Sequence, residues 1–570
     1  MNRRQFIGQT GASLLLGASL LRGNVRENTE KCNILMIAVD DLRPQLGCYG
    51  HDRMVSPNMD RLASEGILFE RAYCQVPVCG ASRASLLTGV RPTSGQFLTF
   101  DCRADTDLPD VHSIGKLLKN AGYYTVSRGK VFHHNDDSED AWSDTPWRPR
   151  TGHYRIAANQ ALADGNDGKG PPWESADVAD NAYADGMIAD RAVDDLRQLA
   201  AGLQPFFLAV GFLKPHLPFV APAAYWNNYN HDDIDLAENP FTPEGAPDQA
   251  LTNWAELRAY YGMPASGPVS DDQARMLIHG YYACVSYVDH LVGRLLDELD
   301  ALDLPDRTIV VLWGDHGWNL GEHGLWCKYV NFETTLRSPL VFRIPGFSGG
   351  KRSGALVEYV DIYPTLCELC GIASPDHLEG TSMVPLFTDP DRTWKSAVFS
   401  RYQEGDSIKT DQYRYTEWPD TNRQFTARML YDHKNDPDEN VNIAELPGNQ
   451  ALVVQLSGML ASGWKNANIP SSLETDPESP CRDDRCPVFC NYTNPFNSST
   501  ILYFKTSENG RIRIVLYDNI GRTVLEVLDE FRPAGIHEIE LDGSDLVSGV
   551  YLCILETGKG KYPLTITKLN

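Results

Sequence analysis

Two short apolar runs in this chain each end in a pair of metal-ligating side chains. Asn33-Ile34-Leu35-Met36-Ile37-Ala38-Val39 leads into Asp40-Asp41, and Thr308-Ile309-Val310-Val311-Leu312-Trp313 leads through Gly314 into Asp315-His316. A short, near-continuous run of branched apolar residues is the pattern of a strand buried on both faces. Adjacent carboxylates at the end of such a strand repel each other and are costly to desolvate. A hard divalent cation removes that cost, and carboxylate oxygens are its preferred ligands. A solvated turn or a helix cap is the plainer reading of such a pair taken alone. Open α/β sheets gather their ligands at the carboxyl ends of the strands, which lets Asp315 and His316 meet Asp40 and Asp41. A nitrogen ligand is less usual for a hard cation, so the donor set by itself does not name the metal.

Three further clusters suit an anion. They are Arg128-Gly129-Lys130-Val131-Phe132-His133, Lys214-Pro215-His216-Leu217-Pro218-Phe219 and Gly321-Glu322-His323-Gly324-Leu325-Trp326-Cys327-Lys328. Fixed cations stabilise charge that develops in a transition state, and histidine titrates close to working pH. Singly, each cluster reads as surface or satisfied core. Cys79-Gly80-Ala81-Ser82-Arg83, followed by Leu87-Thr88-Gly89, adds a cysteine whose plain reading is a buried thiol. As C-x-A-S-R-x-x-x-L-T-G, however, it resembles the signature of the type I sulfatases, in which the cysteine is oxidised after synthesis to formylglycine. Ala81 stands where that motif usually has proline, which leaves the maturation system open. The ordered set, over about residues 30 to 470, is most similar to the iduronate-2-sulfatase branch of that family.

The resemblance implies an α/β alkaline-phosphatase-like fold. A large mixed sheet is flanked by helices and followed by a smaller α+β subdomain. It also implies that Asp40, Asp41, Asp315, His316 and the oxygen of converted Cys79 hold one Ca2+. A hydrated aldehyde offers two hydroxyls on one carbon, one to attack sulfur and one to expel the sulfate. By position in the family, Arg83 and Lys130 set residue 79, and Lys328 with the metal clamps the sulfate. His216 is the general acid, helped by Lys328, and His133 is the base. Sequence order does not separate His133 from His134, and His323 is a further candidate. The implied partners are a sulfated carbohydrate substrate and either a formylglycine-generating enzyme or an anaerobic sulfatase-maturating enzyme. Two other readings stay open. One is a phosphonate or phosphodiester hydrolase of the alkaline phosphatase superfamily, which shares the metal scaffold. The other is a sulfated-glycan binder in which Cys79 stays a thiol.

The elements that must position these residues follow from pattern. The chain has 570 residues, too many for one ordinary domain, and 42% are hydrophobic, enough for substantial cores. A formal net charge of −25 argues against nucleic acid as a partner. Because an anionic substrate is repelled too, steering must come from a local basic pocket. Residues 1–23, with Arg3-Arg4-Gln5-Phe6 and an apolar stretch to Leu21, read as a signal peptide. The arginine pair resembles a twin-arginine signal, with general secretion the alternative, and no later segment is long enough to span a membrane. Alternating strands and helices over 30–355 argue for the catalytic α/β domain, with a long amphipathic helix from about Asp271 to Leu299. Residues 356–465 read as the C-terminal subdomain and 466–492 as a linker. Of thirteen cysteines, Cys481, Cys486 and Cys490 fall in that linker, where export favours a disulfide. Cys367 and Cys370 share one face of an apolar helix and read as core. Residues 493–570 alternate as short strands with turns between them, the pattern of a small β-sandwich. Asn494-Pro495-Phe496-Asn497, Tyr517-Asp518, Gly521-Arg522 and Leu546-Val547-Ser548-Gly549-Val550-Tyr551 resemble the type A sorting domain of the type IX secretion system. That resemblance implies passage through the periplasm to the cell surface or medium. A carbohydrate-binding or spacer module is the alternative.

Overall fold

The computed structural model describes residues 31–419, 425–467, 489–492, 496, 499–506, 508–518, 522–558 and 560–568. The expected signal peptide, Cys481 and Cys486 lie outside the described residues, as does the side chain of Cys490.

Seven strands form the main sheet: β1 (Asn33–Val39), β2 (Ile67–Tyr73), β3 (Tyr124–Gly129), β4 (Phe206–Phe212), β5 (Thr308–Gly314), β6 (Leu340–Arg343) and β7 (Lys351–Glu358). Their order across the sheet is β7-β2-β6-β5-β1-β4-β3. Only β6 runs antiparallel to its neighbours, so the sheet is mixed and the carboxyl ends of β1, β3, β4 and β5 share one edge. The two apolar runs are adjacent in space, with Val39 level with Gly314 on one side and Phe212 on the other. Strand β1 is apolar at every position because both faces are covered. Leu35, Ile37 and Val39 enter one core, while Ile34, Met36 and Ala38 enter the other.

Three helices bear on the argument: α1 (Cys79–Thr88), α2 (Asp271–Ala301) and α3 (Gln450–Ser462). Helix α2 starts at a capping box made by Ser270 and Gln273 and buries Ile278, Tyr281, Val285, Val288, Leu291, Leu295 and Leu296 against the first core. Helix α1 is buried along its whole length. Its approach requires Gly80, where an added Cβ would stand 2.1 Å from the Phe100 carbonyl oxygen. Strands β3 and β4 close up by the same device, since a Cβ on Gly211 would meet the Lys130 carbonyl oxygen at 2.0 Å.

Two expected boundaries move. The cut at 355/356 falls inside β7, whose Leu356, Val357 and Glu358 pair with Arg71, Ala72 and Tyr73. The linker ends earlier than residue 492, because Phe489–Tyr492 pairs with Ile501–Phe504 and so belongs to the tail. Between these lies a four-stranded antiparallel sheet, β8 (Ala397–Tyr402), β9 (Gly405–Thr410), β10 (Tyr413–Pro419) and β11 (Phe425–Asp432), with α3 contributing Val453 and Leu456 to its core. The tail is a three-stranded and a four-stranded sheet around Leu502, Phe504, Ile512, Ile514, Leu516, Cys553, Leu555 and Ile566. Cys367 is buried in the second core and Cys370 packs against it. Among the described residues, no helix is long and apolar enough to cross a membrane.

Candidate active site

The strand ends carry their polar residues to one point. The Asp40 N–H donates to Phe212 O at 3.2 Å, the Asp315 N–H to Val39 O at 3.2 Å, and the Lys130 N–H to Gly211 O at 2.8 Å. Sheet register thus continues one residue past β1, β3 and β5. Carboxylate oxygens of Asp40, Asp41 and Asp315 all lie within 4.8 Å of one another, and all three residues are buried. Asp41 takes a left-handed backbone, φ 60°, steadied by its N–H to Asp315 Oδ1 at 2.9 Å and by Tyr281 Oη donating to its carbonyl at 2.8 Å.

Cys79 opens helix α1, and its Sγ lies 3.3 Å from His316 Nε2 and 3.8 Å from Asp41 Oδ1. Burial, followed by the nearby Asp40 charge, holds this thiol well above the usual range. An encoded thiol here is therefore a poor nucleophile. Arg83 sits one turn further on and is fully buried. It reaches Asp315 at 2.9 Å, Asp40 at 3.0 Å and the Val131 carbonyl at 3.0 Å, and also bonds the Lys130 carbonyl. Lys130 Nζ bonds Asp40, and Lys328 Nζ bridges both Asp41 oxygens at 3.1 Å each. Burial opposes charge on Asp40, but Lys130 and Arg83 outweigh it and hold that carboxyl well below the usual range. Lys328 is likewise held charged against burial by Asp41. Three carboxylates thus face three cations, and a divalent ion with the anions it recruits adds to a balanced site. The hard oxygen donors, with His316 beside them, fit such an ion.

His216 stands on the loop after β4. Its Nδ1 donates to Leu217 O at 2.7 Å, and its Nε2 lies 3.0 Å from Glu256 and 3.9 Å from Asp41. Lys214 ties that loop by donating to the His216 and Pro218 carbonyls. His133 is packed between Phe100 and His134, with Nδ1 buried and lacking a hydrogen-bond partner. Burial and the Lys130 charge push its pKa down to about 2, so the ring is neutral. Arg148 fixes this turn through the Phe132 and His133 carbonyls at 2.9 and 3.2 Å. His323 does not join the site: its ring packs 4.5 Å from that of Phe332, and its N–H donates to Asn239 O.

Four contributors escape a sequence reading. Ser82, inside the cysteine motif, donates to Asp315 O at 2.5 Å. Trp318 lies 4.9 Å from Lys328 Nζ, ring centroid to nitrogen. Tyr281 comes from the long helix, and Glu256 from the four-residue helix Ala255–Arg258. Only Ser82 has a motif signal. The others arrive from segments whose pattern reports packing alone.

A family model described as "Sulfatase" matches residues 32–372, one described as "N-sulphoglucosamine sulphohydrolase, C-terminal" matches 321–465, and one described as "Secretion system C-terminal sorting domain" matches 491–568. Human iduronate 2-sulfatase is 37% identical over 389 residues, covering 61% of this chain and 70% of that one. In fold, BT4656 in complex with its substrate D-glucosamine-2-N,6-O-disulfate superposes with a TM-score of 0.61 at 23% identity, covering 79% of this chain and 100% of that one. Phosphonate monoester hydrolase of Agrobacterium radiobacter superposes with 0.60 at 22%, covering 76% and 95%. Both likenesses concern fold alone, and it is the alkaline-phosphatase-like sulfatase fold. The sorting domain marks the protein for export through type IX secretion, to the cell surface or the medium. With the first of these family models spanning residues 32–372, the chain belongs to the sulfatases, enzymes that hydrolyse sulfuric esters.

Proposed function

We propose that this sulfatase removes sulfate from a sulfated sugar or polysaccharide, with Cys79 converted to formylglycine by a maturation enzyme and one Ca2+ held by Asp40, Asp41, Asp315, His316 and residue 79. The observation that carries the reading is the placement of Cys79. It is buried at a helix N-terminus against Asp41 and His316, with its thiol held protonated. Formylglycine supplies a geminal pair of hydroxyls, and the cation supplies charge for the sulfate oxygens.

The chain's own residues do the rest. Arg83 and Lys130 neutralise Asp40 and Asp315 and hold the wall beside residue 79. Lys328, buried over the Trp318 ring, presents a fixed ammonium to the sulfate. His216 gives a proton to the departing sugar oxygen. His133 takes one from the remaining hydroxyl at residue 79. Burial and Lys130 keep its ring neutral, with a nitrogen unprotonated, and the negative charge of a bound sulfate ester beside it raises its low basicity. The catalytic unit on this reading runs from residue 30 through β7 and its following helix, Ile362–Leu369, rather than ending at 355.

The relative named iduronate 2-sulfatase supports a sulfated uronic sugar as the first substrate class to test. The test has two parts. Peptide mass across residues 72–91 should show residue 79 as the aldehyde. Parallel assays should then show turnover of aryl and sugar sulfates far above that of aryl phosphonates. An unmodified thiol in active enzyme, or faster phosphonate turnover, refutes the reading.

A further inference from the structure

Glu256 lies outside the sulfatase motifs, yet it touches two members of the site. Its carboxylate is 3.0 Å from His216 Nε2 and 3.2 Å from Lys328 Nζ, and it accepts a 3.1 Å hydrogen bond from Tyr329 Oη. The other nitrogen of His216 faces the Leu217 carbonyl at 2.7 Å. A carbonyl only accepts, so Nδ1 carries a proton. An ionised carboxylate also only accepts, so Nε2 carries one as well while it points at Glu256. Nε2 also faces the reaction centre, 3.9 Å from Asp41, and the ring offers a nitrogen within 4.8 Å of ligand atoms of Asp40 and Cys79.

Glu256 is ionised. Burial opposes its charge, but Lys328 and His216 beside it hold the carboxyl well below the usual range. Asp41, His216 and Glu256 also form a set within 4.8 Å that has the makings of a metal site. The Lys328 ammonium already sits against both carboxylates, 3.1 Å from Asp41 and 3.2 Å from Glu256, and supplies the positive charge there.

We propose that Glu256 is a positioning residue for proton donation. It holds the His216 ring between its own carboxylate and the Leu217 carbonyl, with the Nε2 edge turned to the departing sugar oxygen. The step it serves is sulfuryl transfer, in which an ionised hydroxyl oxygen of hydrated residue 79 bonds to sulfur as the ester S–O bond breaks. The electron pair goes to the sugar oxygen, which takes the Nε2 proton. The ring is left neutral, with Nδ1–H still on Leu217. This inference rests on His216 being the proton donor.

The test uses the full mature enzyme, with aldehyde content at residue 79 matched by peptide mass. Wild type, Glu256→Gln, Glu256→Asp and His216→Gln are assayed on 4-nitrophenyl sulfate, whose leaving oxygen needs little protonation, and on an alkyl sugar sulfate, whose leaving oxygen needs it. General acid catalysis contributes roughly 10²–10⁴-fold. Glu256→Gln should therefore raise the ratio of kcat/KM for the aryl over the alkyl ester by about 10²-fold. His216→Gln should do the same, and Glu256→Asp should restore part of the loss. Calorimetric Ca2+ affinity should match wild type in Glu256→Gln. If His216→Gln shifts the ratio and Glu256→Gln does not, the positioning role is overturned while the proton-donor reading stands. If His216→Gln loses both esters equally, the proton-donor reading falls and takes the inference with it. If Glu256→Gln loses both esters equally or loses Ca2+ affinity, Glu256 is structural or a metal ligand, and the inference is overturned.

Discussion

At the scale of single residues, the site is a set of mutually compensating charges, and that predicts how it breaks. Cys79→Ala should lower kcat by at least about 10³-fold, because the nucleophile is lost outright. The melting temperature should stay within about 5 °C, since the change is small and buried. Residual activity of a tenth of wild type refutes Cys79 as the nucleophile's source. Asp40→Asn removes a carboxylate that neutralises Lys130 and Arg83 and contributes to the hard-oxygen set. If the proposed ligand set is right, wild type should carry close to one Ca2+ per chain, and the variant should carry less and turn over far more slowly. Elemental analysis of wild-type and variant protein checks this, and unchanged metal content counts against the ligand set.

At the scale of elements, close backbone approach and buried ion pairs set the geometry. Gly211→Ala places a Cβ 2.0 Å from the Lys130 carbonyl oxygen, so β3 and β4 must separate where Lys130 is delivered. Overpacking of this kind costs about 1–3 kcal/mol, and activity should fall beyond what stability explains. Urea midpoints alongside kcat/KM measure both. A second cluster, Glu333, His433 and Glu439, resembles a metal triad. Arg414 of β10 already fills it, bonding Glu333 and standing 3.0 Å from Glu439. Glu333 is held low by Arg414 against burial, and Glu439 by His433 and then Arg414, again against burial. Carboxyls lowered in the folded state stabilise it above their unfolded pKa of about 4.3 and lose that contribution as pH falls below it. Arg414→Met should cost about 3–5 kcal/mol at neutral pH and flatten the loss of stability below about pH 4.3. Denaturation midpoints between neutral and acid pH report both effects. A variant with unchanged pH dependence overturns the assignment.

At the scale of the whole molecule, a chain of net charge −25 concentrates Arg83, Lys130 and Lys328 at one sheet edge, where on the proposed reading they offset the charge of an anionic substrate. The tail is a separate sandwich with its own core. A truncation meant to remove it must begin at residue 489, because Phe489–Tyr492 is one of its strands and a cut at 493 leaves that strand unpaired. Deleting 489–570 should leave turnover of a small sulfate ester intact and trap the enzyme in the periplasm of its native host. Cell fractionation with activity assays checks this. A tenfold loss on the small ester makes the tail part of the catalytic unit. A loss confined to polysaccharide makes it a carbohydrate-binding module.

Much of the candidate site was legible because acidic pairs at strand ends carry a local signal. Asp40-Asp41 and Asp315-His316 follow short continuous apolar runs rich in branched residues, the pattern of a strand covered on both faces. The cysteine motif and the three basic clusters lie within a few residues of strand or helix ends, so their order along the chain already implied their meeting. Which histidine stands where was not legible. His133, His134, His216 and His323 are alike as residues, and only packing sets His216 against Glu256 while turning His323 towards Phe332. Glu256 was invisible for the same reason. It sits in a four-residue helix between β4 and α2, 72 residues from Lys328, and no periodicity or motif marks a carboxylate whose partners are chosen by tertiary contact. The domain cuts at 355 and 492 were misplaced because strand membership depends on a distant partner strand. Sequence composition at a boundary carries no record of that pairing.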